Sequence, residues 1–286
     1  MKRAVRAARS RLRTAYERLR RFYEPWRRRV QGTLTREQLA AALTDAGVVP
    51  GATVMTHVSM DEIMRTTSGV GALDLIALLK ELLTEDGTLL VPTFPFTGFE
   101  ADYLATNPGF DVRRTPSQTG LMTELFRRMP DTTRSLHPTH PVSGWGAHAT
   151  ELLSTHHLGE TFGELSPFCR MREHNGVVIG IGSLAFTIIH SGEYLNPKGR
   201  AYAFAPETHT TRIKDRDRTI DYTFYPLRRR VIKHRAGASK LRKEGVLRCK
   251  RYRGLLVASV LADAIIDRCF RAIDEGSFYD LRRSAH

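Results

Sequence analysis

From residue 33 onward the chain alternates short apolar runs with stretches of helical periodicity. That alternation restricts it to an α/β architecture in which helices cover a sheet. Thr35 with Gln38 three residues on forms a reciprocal capping pattern and opens a helix over Arg36–Asp45. Gly47 and Gly51 bracket the turn into an apolar strand, Thr53–Val58. Gly71 opens a helix whose Leu75, Ile76, Leu79 and Leu82 share one face, and it closes before Gly87. A strand over 89–91 ends at Pro92. Residues 93–117 hold several Pro and Gly and little periodicity, and so long a loop in a compact domain is usually functional. A helix over 119–129, a loop over 134–141, a helix near 147–154 and a buried strand Val177–Ile181 are expected next. The tail reads as a strand piece over 222–225, a basic helix region near 239–251 and a last helix over 257–273, with no internal repeat anywhere.

A chain of 286 residues with 41% hydrophobic content can bury a sizeable core. No run of 18 apolar residues occurs, so a bilayer span is not expected, nor is a secretory signal at the N-terminus. Cys169, Cys249 and Cys269 are far apart, with no Cys-x-x-Cys, which fits a reducing, cytoplasmic setting and argues against a disulfide frame. The net charge of +14 is concentrated in two blocks. Residues 1–29 carry +10 and residues 226–253 carry +11, which leaves −7 for everything else. The charge is not that of a whole-surface nucleic-acid binder, and no specific nucleic-acid partner is expected. Residues 1–30 form a separate basic amphipathic helix in this reading, with Val5, Ala8, Leu12, Ala15, Leu19 and Phe22 at steps of three and four. Three roles stay open for 1–29: peripheral contact with anionic lipid at the inner membrane face, a solvated arm packed on the body or a second subunit, or a transit peptide. Residues 31–286 form the main domain.

Three places carry groups suited to chemistry. In Thr187-Ile-Ile-His190-Ser-Gly-Glu193, directly after a buried strand, a helical turn would put the imidazole and carboxylate on one face. Such a pair suits a general base for an amine nucleophile, but the spacing by itself is commoner in plain surface ion pairs. In Arg134-Ser-Leu-His137-Pro-Thr-His140-Pro141, two prolines fix a loop carrying two imidazoles and a guanidinium. A metal reading would draw on His137, His140 and His190 or Glu193, but no His-Glu-x-x-His pair is present and no metal is expected. Arg113-Arg-Thr115-Pro-Ser117-Gln-Thr119-Gly120 leads into a helix N-terminus, where free amides either receive a phosphate or are simply capped. Thr56-His57-Val58-Ser59 ends a strand in a similar way, and no Gly-x-Ser-x-Gly elbow occurs.

In combination these strings resemble the aminoglycoside 3-N-acetyltransferase family. The resemblance is carried by Arg114-Thr-Pro-Ser-Gln-Thr-Gly120, Glu124-Leu-Phe-Arg127, Arg134-Ser-Leu-His-Pro138, Gly87-Thr-Leu-Leu-Val-Pro-Thr93, Ser166-Pro167 and Thr187-x-x-His190-x-x-Glu193, in that family's order over roughly residues 35–195. It implies a mixed sheet with flanking helices, distinct from the GNAT acetyltransferases, and acetyl-CoA as co-substrate. It implies direct transfer to an amine of an aminoglycoside or related amino sugar in a ternary complex. His190 would be the base and Glu193 its orienting partner, while Ser59, Thr115, Ser117, Ser135 and His137 would line the cofactor and acyl site. Two departures stand out: His57-Val58-Ser59-Met60 replaces the family's His-Ser-Ser-Leu, and Gly69-Val70-Gly71 replaces its glycine pair. The 226–253 block suits an anionic acceptor or a membrane surface, or is simply a solvated basic face, and two rivals stand beside the first reading. One is an N-acyltransferase of surface-glycan or natural-product biosynthesis at the membrane face; the other is a non-catalytic membrane- or nucleic-acid-binding protein on the same scaffold.

Overall fold

A computed structural model describes residues 30, 32–106, 109–230 and 234–277, so the basic helix expected over 1–29 lies outside the described residues. The strands among the described residues are β1 (Thr53–Val58), β2 (Thr88–Pro92), β3 (Gly109–Asp111), β4 (Thr133–Arg134), β5 (Val142–Gly146), β6 (Val177–Ile181), β7 (His209–Asp215), β8 (Arg218–Phe224), β9 (Arg248–Tyr252) and β10 (Leu255–Leu261). Seven of them form one sheet in the order β4-β5-β2-β1-β6-β10-β9. Its centre is parallel, β1 pairing with both β2 and β6, and its flanks are antiparallel. The expected mixed α/β architecture is therefore present.

Strand alternation divides the core between the two faces. Val54, Leu89, Ile179 and Val257 pack with helices Arg36–Asp45 and Ala72–Leu83 on one side. Met55, Leu90, Val178 and Ala258 pack with helices Ala149–Ser154 and Ala262–Asp274 on the other. A three-stranded sheet, β3-β7-β8, closes a smaller core around Phe110, Ile213, Tyr222 and Phe224.

The helix Arg36–Asp45 starts with the expected capping box, Thr35 Oγ1 accepting from the Gln38 amide and the Gln38 side chain accepting from the Thr35 amide. The tail differs from its sequence reading. Residues 248–252 and 255–261 are strands, and the helices there are His234–Lys243 and Ala262–Asp274. Arg253 (φ 44°) and Gly254 (φ 91°) are both left-handed, as a two-residue hairpin needs, and Tyr252 pairs with Leu255 across them. The apolar run 255–261 has no period that separates a buried strand from a helix, and pairing with β6 settles it. The long segment after β2 contains a short helix, Glu100–Thr106, and β3. No helix among the described residues is long and apolar enough to cross a membrane.

Candidate active site

The parallel strands β1, β2 and β6 end on one side of the sheet, where open α/β sheets place their ligands. The chain leaves β6 through Gly182, which is left-handed (φ 69°), and a Cβ there would lie 2.5 Å from the Glu62 side chain. It then turns into helix Ile189–Leu195, which carries His190 and Glu193 on one face. Gly192 seats this helix: a Cβ at that position would lie 2.6 Å from the Ile266 carbonyl oxygen of helix Ala262–Asp274.

His190 Nδ1 stands 2.6 Å from Glu193 Oε2, and both residues are buried. Arg230 completes the set, its Nη1 donating to Glu193 Oε1 at 2.8 Å and its Nη2 to Oε2. With Nδ1–H committed to the carboxylate, Nε2 of a neutral imidazole keeps its lone pair. Burial pulls the His190 pKa down to about 4, with Arg230 and His140 adding to the effect and Glu193 opposing it. Burial alone would raise Glu193, but His190 and Arg230 outweigh it and hold the carboxyl well below its usual range.

A cleft of about 400 Å³ opens in front of His190. Phe94, Phe96, Phe186, Thr97, Thr119 and Thr187 form part of its wall, and Glu100, His140, Arg228 and Arg230 supply its ionisable groups beside His190. His140 forms a second buried pair, its Nδ1 lying 3.4 Å from Glu100 Oε1, while Glu100 Oε2 accepts the Leu227 amide at 2.6 Å. The ring of Phe162 separates the two imidazoles, 5.0 Å from His140 and 5.1 Å from His190.

None of the five residues expected to line the cofactor site lies in the wall of this cleft. Ser135 and His137 are buried and bonded internally: Ser135 Oγ to His156 Nδ1 at 2.9 Å, and His137 Nε2 to Thr161 Oγ1 at 3.0 Å. His137 Nδ1 also accepts the His140 amide at 3.0 Å, so these two residues shape the loop that presents His140. Ser117 Oγ bonds the Thr119 and Thr123 hydroxyls, and Thr115 Oγ1 accepts the Asp111 amide. Ser59 caps helix Met60–Thr66 at the end of β1. Thr119, from the same Arg-Thr-Pro-Ser-Gln-Thr-Gly string, is the hydroxyl that reaches the cleft. Arg230 and Glu100 escaped the sequence reading; Arg230 sits in a run of three arginines with nothing to distinguish it, and Glu100 in a segment without periodicity.

The four groups of the metal reading do not converge, since His137 is committed to Thr161 and to backbone amides. His148, Glu151 and His174 do bring their ligand atoms within 4.8 Å of one another, at a different place on the molecule, with Glu151 also held by Arg170.

The sequence model of the family described as aminoglycoside 3-N-acetyltransferase matches residues 55–268. Aminoglycoside N(3)-acetyltransferase VII of Streptomyces paromomycinus is 31% identical over 183 residues, 59% of this chain and 63% of that protein. The aminoglycoside N(3')-acetyltransferase-like protein YokD of Bacillus subtilis is 28% identical over 57% of this chain and 66% of its own length. The chain thus spans just under two thirds of the curated relatives it matches. Among solved structures, aminoglycoside acetyltransferase AAC(3)-Xa superimposes with a TM-score of 0.73 at 22% identity, covering 92% of this chain and all of that one. AAC-IIIb in its binary complex with CoASH gives 0.71 at 21% identity, over 85% of this chain and 97% of that one. At these identities the structural likeness establishes a shared fold.

Proposed function

Since the chain belongs to the aminoglycoside 3-N-acetyltransferase family, we propose that it transfers an acetyl group from acetyl-CoA to an amine of an aminoglycoside or related amino sugar, directly within a ternary complex. The observation that carries this reading is the His190–Glu193–Arg230 group facing a cleft at the carboxyl ends of the parallel strands. The amine nitrogen forms a bond to the acetyl carbonyl carbon and the carbon–sulfur bond breaks. The proton lost by the amine passes to His190 Nε2 and from there to the departing thiolate. Glu193 favours the imidazolium while it exists, and Arg230 keeps the carboxylate ionised and in place. Proximity of amine and thioester supplies much of the remaining acceleration.

In this reading the acyl chain lies along the Thr119, Phe186 and Thr187 side. Ser117 backs that side through its bond to Thr119, while His137 holds the loop that presents His140. The acceptor enters between Glu100 and the segment bearing Arg228 and Arg230. Those arginines favour a second reading of the acceptor, an amino sugar that also carries an anionic group, as surface-glycan or natural-product precursors do. A thiol-release assay with acetyl-CoA against aminoglycosides and anionic amino sugars separates the two. His190→Ala should lower turnover about 10²- to 10⁴-fold while coenzyme A still binds. Near-normal turnover in that variant would overturn the assignment.

A further inference from the structure

A second and larger cleft, about 660 Å³, lies on the far side of segment 112–119 from His190. Val112 and Arg113 face it, whereas Thr119 faces the first cleft. Beneath that segment Arg134 bonds the Thr115 and Thr93 carbonyl oxygens, so the wall between the two clefts is built around its guanidinium.

The second cleft is lined by Arg113, Arg127, Arg128, Arg134, Arg216 and Arg218, with Asp215 as the only carboxylate among the described residues of its wall. Glu124 stands behind it, pairing with Arg127 and Arg128, and Asp215 pairs with Arg218. Arg113 and Arg216 are exposed, and their side chains make no ion pair among the described residues. Arg134 is buried, and its hydrogen bonds go to the carbonyl oxygens of Thr93, Val112 and Thr115 and to the Thr93 hydroxyl, never to a carboxylate.

Arg216 holds a left-handed backbone (φ 55°) in the two-residue turn between β7 and β8, a position that glycine or asparagine occupies at less cost. The turn thereby carries a cation at the rim of an already basic cleft.

We propose that this second cleft binds a diphosphate-bearing ligand of nucleotide size, held by Arg113 and Arg216 at the mouth and by the exposed Arg128 and Arg218 along the wall. Several guanidinium groups around one volume favour an anion with more than one phosphate, because each can make paired hydrogen bonds to phosphate oxygens. The volume admits a nucleoside diphosphate. Two sources share that chemistry, the nucleotide end of coenzyme A and a separate phosphorylated metabolite.

The test is calorimetric titration of the full chain with 3′,5′-ADP and with inorganic pyrophosphate. The variants are Arg113→Ala and Arg216→Asn, alone and combined; asparagine preserves the left-handed turn. Saturable, salt-sensitive binding that weakens about tenfold per arginine removed is expected, with Arg113→Lys retaining part of it. An unchanged melting temperature in the variants confirms that the fold is intact. Coenzyme A titrated alongside separates the sources: a parallel loss identifies the cofactor's own nucleotide, and unchanged coenzyme A binding identifies a second ligand. Absence of saturable binding at millimolar probe, or equal binding in the double variant, overturns the proposal.

Discussion

In the proposed reaction His190 is the base, and its strength is set first by burial and then by two neighbours acting in opposite directions. Burial and Arg230 lower its pKa, and Glu193 raises it. A neutral imidazole is the working form, so the rate falls as pH drops through the His190 pKa. With that value near 4, kcat/KM should show no loss from this group until the medium is strongly acidic. Replacing Arg230 by Met removes the competing cation and leaves Glu193 to favour the imidazolium alone. The acid limb of kcat/KM should then move up toward neutral pH, as a pH–rate profile of the two proteins would reveal. A purely structural role for Arg230 would lower the plateau and leave the limb where it was. The His190–Glu193 pair was legible in the sequence because a spacing of three on a helix forces proximity. Arg230 was not, since the contact spans 37 positions and nothing local marks it.

At the scale of elements, helix Ile189–Leu195 places His190 and Glu193, and it is fixed by close approach to helix Ala262–Asp274. The approach depends on Gly192, whose missing Cβ would fall 2.6 Å from both the Ile266 carbonyl oxygen and the Cys269 Cβ. A backbone oxygen cannot swing aside, so Gly192→Val must push the two helices apart. Overpacking of this kind costs about 1–3 kcal/mol, and the displacement acts directly on His190. Activity should fall by more than tenfold even at temperatures where the variant remains folded, measured as kcat beside a denaturant titration. The central strands and the helices Arg36–Asp45 and Ala72–Leu83 were legible because each carries a clean period or a cap. The tail was not. Its decisive signals are an Arg-Gly turn and cross-strand partners more than 70 residues away, and neither leaves a periodic trace.

Across the whole molecule, the packing that presents the site also makes the fold sensitive to acid. His137, His156 and His190 are buried, and burial lowers all three pKa values: His156 to about 3, His190 to about 4 and His137 well below the usual range. In the unfolded chain the same side chains titrate near 6.5. Below that pH the unfolded state therefore binds protons that the folded state refuses, so stability is fully present above 6.5 and declines as pH falls toward the folded values. Each such imidazole contributes a slope of up to about 1.4 kcal/mol per pH unit in that window. Urea unfolding midpoints measured from pH 7.5 to 5 should fall with a slope matching the uptake of at least two protons. His156→Asn removes one titrating group. Although it also loses contacts with Ser135 and Thr161, its stability curve should be flatter below pH 6.5, whatever its height. A slope unchanged by that substitution would mean that the acid sensitivity arises elsewhere, among the paired carboxylates.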